Sequence, residues 1–544
     1  MMKLTIAILL FFSSLSCGAQ KSKILKRPNI LFVISDDQSF ASTSFAGSTF
    51  IKTPAFDRVA KEGIYFANCI AGSPGCAPSR GSIVTGRYPW QNEQSGQHAS
   101  AWLKKYIPFI DVLKNAGYSI GRTGKGVDPF QYARDGKDSL WRNTNAAGIL
   151  HSDIKYNRDS LNNMQDYASG ITTTDYFGNF RYFIENVKKE QPFFFWFGAR
   201  EPHRSFEKNS YKKVGKHLNS VTVPKFLPDN AEIRGDLLDY AVEVEWFDKQ
   251  LNHMLDYLED IGELENTVVI VTSDNGKAFP SAKANAYEYG IHVPLAIRYP
   301  KDFPGGRIIK DPVSFVDLAP TILNIVDEQP EGMMPITGKS FLSTLQSKEG
   351  FPKRKNINVY SGRERHSSSR YNNWGYPQRA LRSKDYLLIW NMKPDRWPAG
   401  APQELDPNYK ANGLPLDQSS DTITYVYGNA YTDIDDSPTK DYILKHAAEE
   451  VIKPYFLMAV GKRPEFELFD INKDPYCLNN LVDDPKYARV GNKLKTELVK
   501  ELKKTKDPRV VGKDREVFDS YKRYSHIRKF PKPDDSELDL KSKR

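Results

Sequence analysis

A chain of 544 residues is too long for one small hydrophobic core and asks for a large domain plus a smaller one. Hydrophobic residues at 40% and charged residues at 26% are those of an ordinary globular protein, not of a disordered or fibrous one. The formal charge of +10 suits a polyanionic partner, either nucleic acid or sulfated polysaccharide, because both feel the same long-range field. No nucleic-acid-binding motif stands out, which argues against the first. The local excess of lysine and arginine from Lys503 to Arg515 and from Lys522 to Lys532 reads as a solvated basic tail over 511–544.

At the N-terminus, Lys3, the apolar run Leu4 to Phe12 and the small residues from Ser13 to Ala19 have the layout of a secretory signal over 1–19. The run is too short to span a bilayer permanently, so export to the periplasm or cell surface follows. Cys17 after Leu15-Ser16 suits a lipoprotein site, whereas Cys17-Gly18-Ala19 suits an ordinary signal peptidase. A lipid anchor there is the sole expected link to a membrane.

Asn29 to Ser35 is a near-continuous apolar run, a strand buried on both faces, and it ends in Asp36-Asp37. A helix is predicted over Thr53 to Gly63, with Ala55, Val59 and Ala60 inward. Cys76-Ala77-Pro78-Ser79-Arg80 then opens a short helix: Pro78 suits its first turn, and Gly86 supplies a left-handed stop. Free N–H groups and the positive dipole end favour an anion beside Cys76, with Arg80 one turn on. Read alone, the same residues also describe an inert buried cysteine. Ile107 to Gly117 is a further helix, and the strand Tyr118 to Thr123 runs into Gly124-Lys125-Gly126.

The segment Val127 to Asp175 is polar and irregular, the composition of surface loops. A helix over Thr174 to Lys189 leads to the apolar strand Pro192 to Phe197, with Arg200-Glu201-Pro202-His203-Arg204 just past it. Ile233 to Asp260 is a long amphipathic helix, followed by the strand Asn266 to Thr272 and by Ser273-Asp274-Asn275-Gly276. Strands alternating with helices predict a large, mostly parallel sheet sandwiched by helices over 26–350. In such sheets ligands bind beyond the carboxyl ends of the strands. Asp36, Asp37, Lys125, His203, Asp274 and Asn275 all follow predicted strands, so one rim gathers them.

From 351 to 510 the pattern changes to a hairpin over Gln378 to Trp390, a strand at Glu465 to Asp470 and a helix from Tyr487 to Lys503. This is a smaller antiparallel subdomain. Outside the leader, Cys69, Cys76 and Cys477 are an odd number in an exported chain, which flags a thiol put to use. Asp36, Asp37, Asp274 and Asn275 are the oxygen donors of a hard-cation site of the calcium kind, although aspartate and asparagine after strands also serve as helix caps.

Cys76-x-Pro78-Ser79-Arg80 followed by Thr85-Gly86-Arg87 resembles the signature of type I sulfatases, and Glu467 to Pro475 resembles a phrase of their C-terminal subdomain. The resemblance runs from about Lys26 to Pro508. It implies an alkaline-phosphatase-like fold and a cysteine oxidised to Cα-formylglycine by a formylglycine-generating (sulfatase-maturating) enzyme. It also implies Ca2+ held by Asp36, Asp37, Asp274, Asn275 and the formylglycine at 76. In that scheme one hydroxyl of the hydrated aldehyde attacks sulfur beside Arg80, and the second collapses the sulfated hemiacetal. Lys125 and Lys283 would contact sulfate oxygens, and His203 would protonate the leaving alcohol.

One departure is Val127, where many sulfatases have a histidine; His98 would supply that imidazole from another loop. The loop at Gln97-His98 and the Gly124-Lys125-Gly126 turn resemble the branch with heparan N-sulfatase and bacterial polysaccharide sulfatases. Arg363 and His366, and Arg396-Trp397-Pro398, are candidates to line a sugar-binding mouth, with solvated surface as the plainer alternative. The expected function is an exported calcium-dependent sulfatase acting on a sulfated polysaccharide or its oligosaccharides, algal such as ulvan or a glycosaminoglycan. The alternatives are a sulfamidase, a phosphatase or phosphodiesterase of related fold, and a silent carbohydrate-binding protein in which Cys76 stays a thiol.

Overall fold

Apolar runs that no water-facing strand could carry make the centre of the molecule. The computed structural model describes residues 27–133, 141–164, 166–349, 357–402, 404–405, 411–412, 430–530 and 532–533. The leader and Cys17 lie outside the described residues. The strands of the main sheet are β1 (Asn29–Ser35), β2 (Ile64–Phe66), β3 (Ser119–Gly124), β4 (Phe193–Gly198), β5 (Thr267–Ser273), β6 (Leu295–Arg298) and β7 (Arg307–Ile309). They form a seven-stranded sheet in the order β7-β2-β6-β5-β1-β4-β3. Strands β5, β1, β4 and β3 are mutually parallel, and β6 runs antiparallel to both its neighbours.

Helices cover both faces, as the alternating pattern predicts. Ile30, Phe32 and Ile34 of β1 share a core with Ile83 and Val84 of α2 (Cys76–Thr85) and with Phe109 and Leu113 of α3 (Phe109–Asn115). Leu31 and Val33 face the opposite core, built from α1 (Pro54–Glu62), α4 (Tyr176–Glu185) and α5 (Ala231–Asp260). Helix α5 begins where Asn230 accepts from the N–H groups of Glu232 and Ile233, a side-chain cap that satisfies two orphan donors.

Register aligns the parallel strands at their carboxyl ends. Ser35 pairs with Ser273, Ile34 with Gly198, and Gly124 with Gly198. The loops that leave these strands therefore emerge at one level.

The C-terminal unit is a four-stranded antiparallel sheet of β8 (Val359–Arg363), β9 (Gln378–Arg382), β10 (Tyr386–Asn391) and β11 (Phe466–Asp470), in that order. The amphipathic α6 (Ala488–Lys504) lays Leu494, Leu498 and Leu502 on Leu381, Leu388 and Leu468 of this sheet. A buried ion network ties the unit together: Arg379 binds Glu364 at 2.7 Å and Asp507 at 2.6 Å, and Arg509 binds Glu364 at 2.7 Å.

Between 512 and 530 the chain departs from the expectation of a solvated tail, while 534–544 lie outside the described residues. Phe518 and Phe530 are buried, Tyr524 donates its N–H to Ala99 O, and Arg528 donates its N–H to Ser368 Oγ. Apolar anchors spaced among the lysines hold this strap to the body. Cys69, Cys76 and Cys477 are all buried free thiols. Among the described residues no helix is long and apolar enough to cross a membrane.

Replacing Glu364 by alanine leaves Arg509 and Arg379 short of a buried counter-charge, a loss of about 3–5 kcal/mol by the usual cost of breaking such a pair. Urea unfolding of E364A checks this, with the C-terminal unit expected to melt first.

Candidate active site

The turn after β3 depends on two glycines. Gly124 has φ +68°, and a Cβ on Gly198 would lie 1.8 Å from Lys125 O, so only glycine lets the two strand ends cross this closely. That crossing aims Lys125 over the rim. Its Nζ donates to Asp36 Oδ2 at 2.5 Å. Asp37 takes the left-handed conformation at φ 73°, which aspartate tolerates better than most residues, and its N–H donates to Asp274 Oδ1 at 3.1 Å.

Asp36, Asp37, Asp274 and Asn275 meet at the ends of β1 and β5, each at most 1% exposed. Asn275 Nδ2 donates to Asp37 Oδ1 at 2.7 Å, and Lys283 Nζ donates to Asp37 Oδ2 at 2.6 Å. Arg80, fully buried on α2, gives Nε to Asp274 Oδ2 at 2.7 Å and Nη1 to the carbonyls of Lys125 and Gly126. Ser79 Oγ donates to Asp274 O at 2.6 Å, which seats the first turn of α2 under the rim. Cys76, at the head of that turn, brings its Sγ together with carboxylate oxygens of Asp36 and Asp274, all within 4.8 Å of one another.

Electrostatics follow from burial. Burial, then the neighbouring Asp36, pushes the Asp274 carboxyl up to about 7 against the pull of Arg80 and Lys125. For Asp36 burial acts in the same sense, but Lys125, His203 and Arg80 outweigh it and hold the group well below the usual carboxylate range. Burial pushes the Cys76 thiol up to about 11, so an unmodified thiol here is neutral at pH 7.

His203 lies at the outer edge, its side chain 37% exposed and its Nε2 3.9 Å from Asp37 Oδ2. The Arg204 carbonyl is 2.7 Å from its Nδ1 and fixes the ring. His98 and His366 face each other with ring centroids 5.4 Å apart, behind the N-terminus of α2. A Cβ on Gly75 would come within 2.9 Å of His366 Nδ1, so glycine before Cys76 makes room for that ring. Burial pulls His366 down to about 4, and burial together with His366 pulls His98 well below its ordinary value.

Arg363 departs from the expectation of a sugar contact at an open mouth. It is turned inward, its Nη2 2.5 Å from Asp433 Oδ2, because a buried carboxylate on the facing loop competes for the guanidinium. Arg370 binds the same carboxylate. Arg396 pairs with Asp519, and Trp397 is buried. Asp435 is the residue that the sequence did not bring forward. Its Oδ2 lies 3.1 Å from Lys283 Nζ, and it comes from an irregular acidic stretch with no strand before it to mark a rim position.

The neutral His366 yields a pH dependence. Between about 4 and 6.5 the unfolded chain takes up a proton at this imidazole that the folded one refuses, so stability falls as pH drops through that window. The loss approaches about 3 kcal/mol at full protonation. His366→Gln should flatten the fall in melting temperature between pH 6.5 and 4 relative to the unchanged protein; parallel curves would contradict it.

The family model described as Sulfatase matches residues 28–328. An ulvan-active sulfatase of Formosa agariphila is 26% identical over 506 residues, which cover 89% of this chain and 75% of that protein. The N-sulphoglucosamine sulphohydrolase of Homo sapiens is 26% identical over 523 residues, covering 89% of this chain and 92% of that protein. Among solved structures, one in complex with its substrate D-glucosamine-2-N,6-O-disulfate superposes with a TM-score of 0.58 at 20% identity, covering 90% of this chain and all of the other. With the matched span running from the first strand through the rim, this chain belongs to the sulfatase family and is a sulfuric ester hydrolase.

Proposed function

We propose that the protein is an exported, calcium-dependent sulfatase that removes sulfate esters from a sulfated polysaccharide or its oligosaccharides, with residue 76 converted to Cα-formylglycine by a sulfatase-maturating enzyme. The observation that carries it is the convergence of Cys76, Asp36 and Asp274 within 4.8 Å, beside Lys125, Lys283 and Arg80. A hard cation suits this donor set. Asp36 Oδ1 and Asn275 Oδ1 are buried without hydrogen-bond partners, a cost that a cation ligated by oxygen relieves.

Charge balance points the same way. Once a bound cation holds Asp274 ionised, the four carboxylates of Asp36, Asp37, Asp274 and Asp435 would face the three fixed cations Arg80, Lys125 and Lys283, one negative charge in excess, with His203 at the edge. A divalent cation turns that into one positive charge, the complement of a sulfate monoester. Asp36, Asp37, Asp274, Asn275 and residue 76 would hold it. Bound there, calcium would supply positive charge at the sulfonate oxygens, and the formylglycine would supply a hydroxyl nucleophile.

The chain's own residues do the rest. Lys125 and Lys283 reach the rim from opposite sides and can turn their ammonium groups to the sulfonate oxygens, where charge builds up during displacement. Arg80, locked by Asp274 and two carbonyls, contributes a fixed charge rather than a moving one. The Arg204 carbonyl accepts Nδ1–H of His203, so the imidazolium form would give its Nε2 proton to the leaving sugar oxygen and return to the neutral Nδ1–H ring. The likeness to an ulvan-active sulfatase supports a polysaccharide substrate, and the signal layout of 1–19 supports export.

A second reading is an N-sulfoglucosamine hydrolase, favoured by the 92% coverage of the human N-sulphoglucosamine sulphohydrolase. A phosphatase is disfavoured by a cysteine, not a hydroxyl, at the nucleophile position and by the lack of histidine in the metal-ligand group among the described residues.

Protein made alongside a maturating enzyme should show an aldehyde at residue 76 by peptide mass spectrometry. It should release inorganic sulfate from ulvan oligosaccharides or from N-acetylglucosamine-6-O-sulfate, lose that activity to a calcium chelator and regain it with added calcium. Release from N-sulfoglucosamine alone transfers the assignment to the second reading; an aldehyde with no release from any of these overturns both. His203→Ala should lower kcat on a sugar sulfate by about 10²–10⁴-fold. It should spare 4-nitrophenyl sulfate, whose leaving group needs no proton; equal losses would contradict the assignment.

A further inference from the structure

The strand-end rim would face the sulfate, and a loop of the C-terminal unit faces whatever carries it. Asp433 anchors that loop. Its carboxylate takes Arg363 at 2.5 Å, Arg370 at 2.7 Å, Ser369 Oγ at 2.6 Å and the N–H of Ser367 at 3.0 Å. Ile434 is buried behind it, and the N–H groups of Asp433 and Ile434 bond to Ala399 O and Tyr431 O. Asp435 thus follows directly on two anchored residues, the condition for a side chain that must discriminate by ångströms.

Two observations set Asp435 apart from the other carboxylates of the rim. Its side chain is 28% exposed, whereas that of Asp37 is fully buried and that of Lys283 only 4% exposed. Its Oδ2 is buried against Lys283, so the exposed edge of the group carries Oδ1. Burial disfavours its charge, but Lys283, His203 and His366 outweigh this and keep it ionised. An ionised carboxylate only accepts hydrogen bonds, and one of its two oxygens is left to do so.

We propose that Asp435 determines substrate specificity: Oδ1 accepts a hydrogen bond from the sugar hydroxyl next to the sulfated position, and its negative charge rejects a sugar whose neighbouring hydroxyl is itself sulfated. The proposal rests on the sulfatase reading and adds the substrate class that the site selects. The position suits it. Asp435 adjoins Lys283, which would bind the sulfate, and lies within electrostatic reach of His203, which would meet the leaving oxygen. The group it touches must therefore be on a carbon close to the ester. A hydroxyl there donates to a charged acceptor in a partly dry pocket, a strong form of hydrogen bond. A second sulfate there would find no cation to spare, because Lys283 is already shared between Asp37 at 2.6 Å and Asp435 at 3.1 Å.

The test uses the mature enzyme and two sugars: its best monosulfated substrate and the same sugar with the adjacent hydroxyl also sulfated. Wild type should prefer the first. Asp435→Asn keeps the shape and a contact for Lys283 but removes the charge. It should raise KM for the monosulfated sugar with little change in kcat, and improve use of the disulfated one, narrowing the preference by about tenfold or more. Asp435→Ala should narrow it as well. Thermal melting of both variants establishes that they fold. If Asp435 merely holds Lys283, both sugars will lose kcat by one factor and the preference will not move, which overturns the proposal. Wild type inert towards every sulfated sugar overturns the sulfatase reading and this inference with it; an active wild type with an unchanged preference in D435N overturns this inference alone.

Discussion

Three aspartates sealed from water at the ends of two adjacent strands repel one another, and much of the molecule is arranged to make that tolerable. Asp36, Asp37 and Asp274 cannot be separated, because the register of β1 against β5 sets Ser35 beside Ser273 and the acids come next. Counter-charge has to arrive from elsewhere. Arg80 comes from the first turns of α2, Lys125 from the end of β3 and Lys283 from the loop after β5. Buried ion pairs of this kind add little to stability, since desolvation consumes the attraction. Their gathering at one rim is better understood as serving the site than as holding the fold together.

The same constraint explains why the C-terminal unit is part of the site and not an appendage. It supplies His366 and Asp435, and it fixes both through charges that never reach solvent: Asp433 with Arg363 and Arg370, Glu364 with Arg379 and Arg509. The strap from 512 to 530 then binds the two loops that carry the paired imidazoles, through Ala99 and Ser368. Both imidazoles are kept from protonation by burial, so this pair adds no charge behind residue 76, whereas the rim in front of it is densely charged.

Much of this was legible in the sequence, for a definite reason. Each central strand is an apolar run buried on both faces, and observed bounds such as Asn29–Ser35 and Thr267–Ser273 match the runs to within a residue. Because chemistry in such sheets gathers past the strand ends, position after a strand was enough to bring forward Asp36, Asp37, Lys125, His203, Asp274 and Asn275. The left-handed stop of α2 at Gly86 could be read in the same way. Other features had no local signal. Arg363 turns inward only because Asp433, 70 residues on, competes for it. Asp435 belongs to an irregular acidic stretch, where no periodicity separates an active-site carboxylate from a solvated one. The strap was hidden by its own lysines, since net charge says nothing of the buried Phe518 and Phe530 between them.

The central claim is that the aspartates at the strand ends enclose a hard cation beside residue 76. A crystal structure of the mature protein grown with calcium, with diffraction recorded where calcium scatters anomalously, tests it most directly. One strong anomalous peak is expected, ligated by Asp36, Asp37, Asp274 and Asn275 and touching residue 76, with Lys125 and Lys283 turned from the carboxylates towards the substrate side. No peak at that position, with both lysines still paired to Asp36 and Asp37, would contradict it.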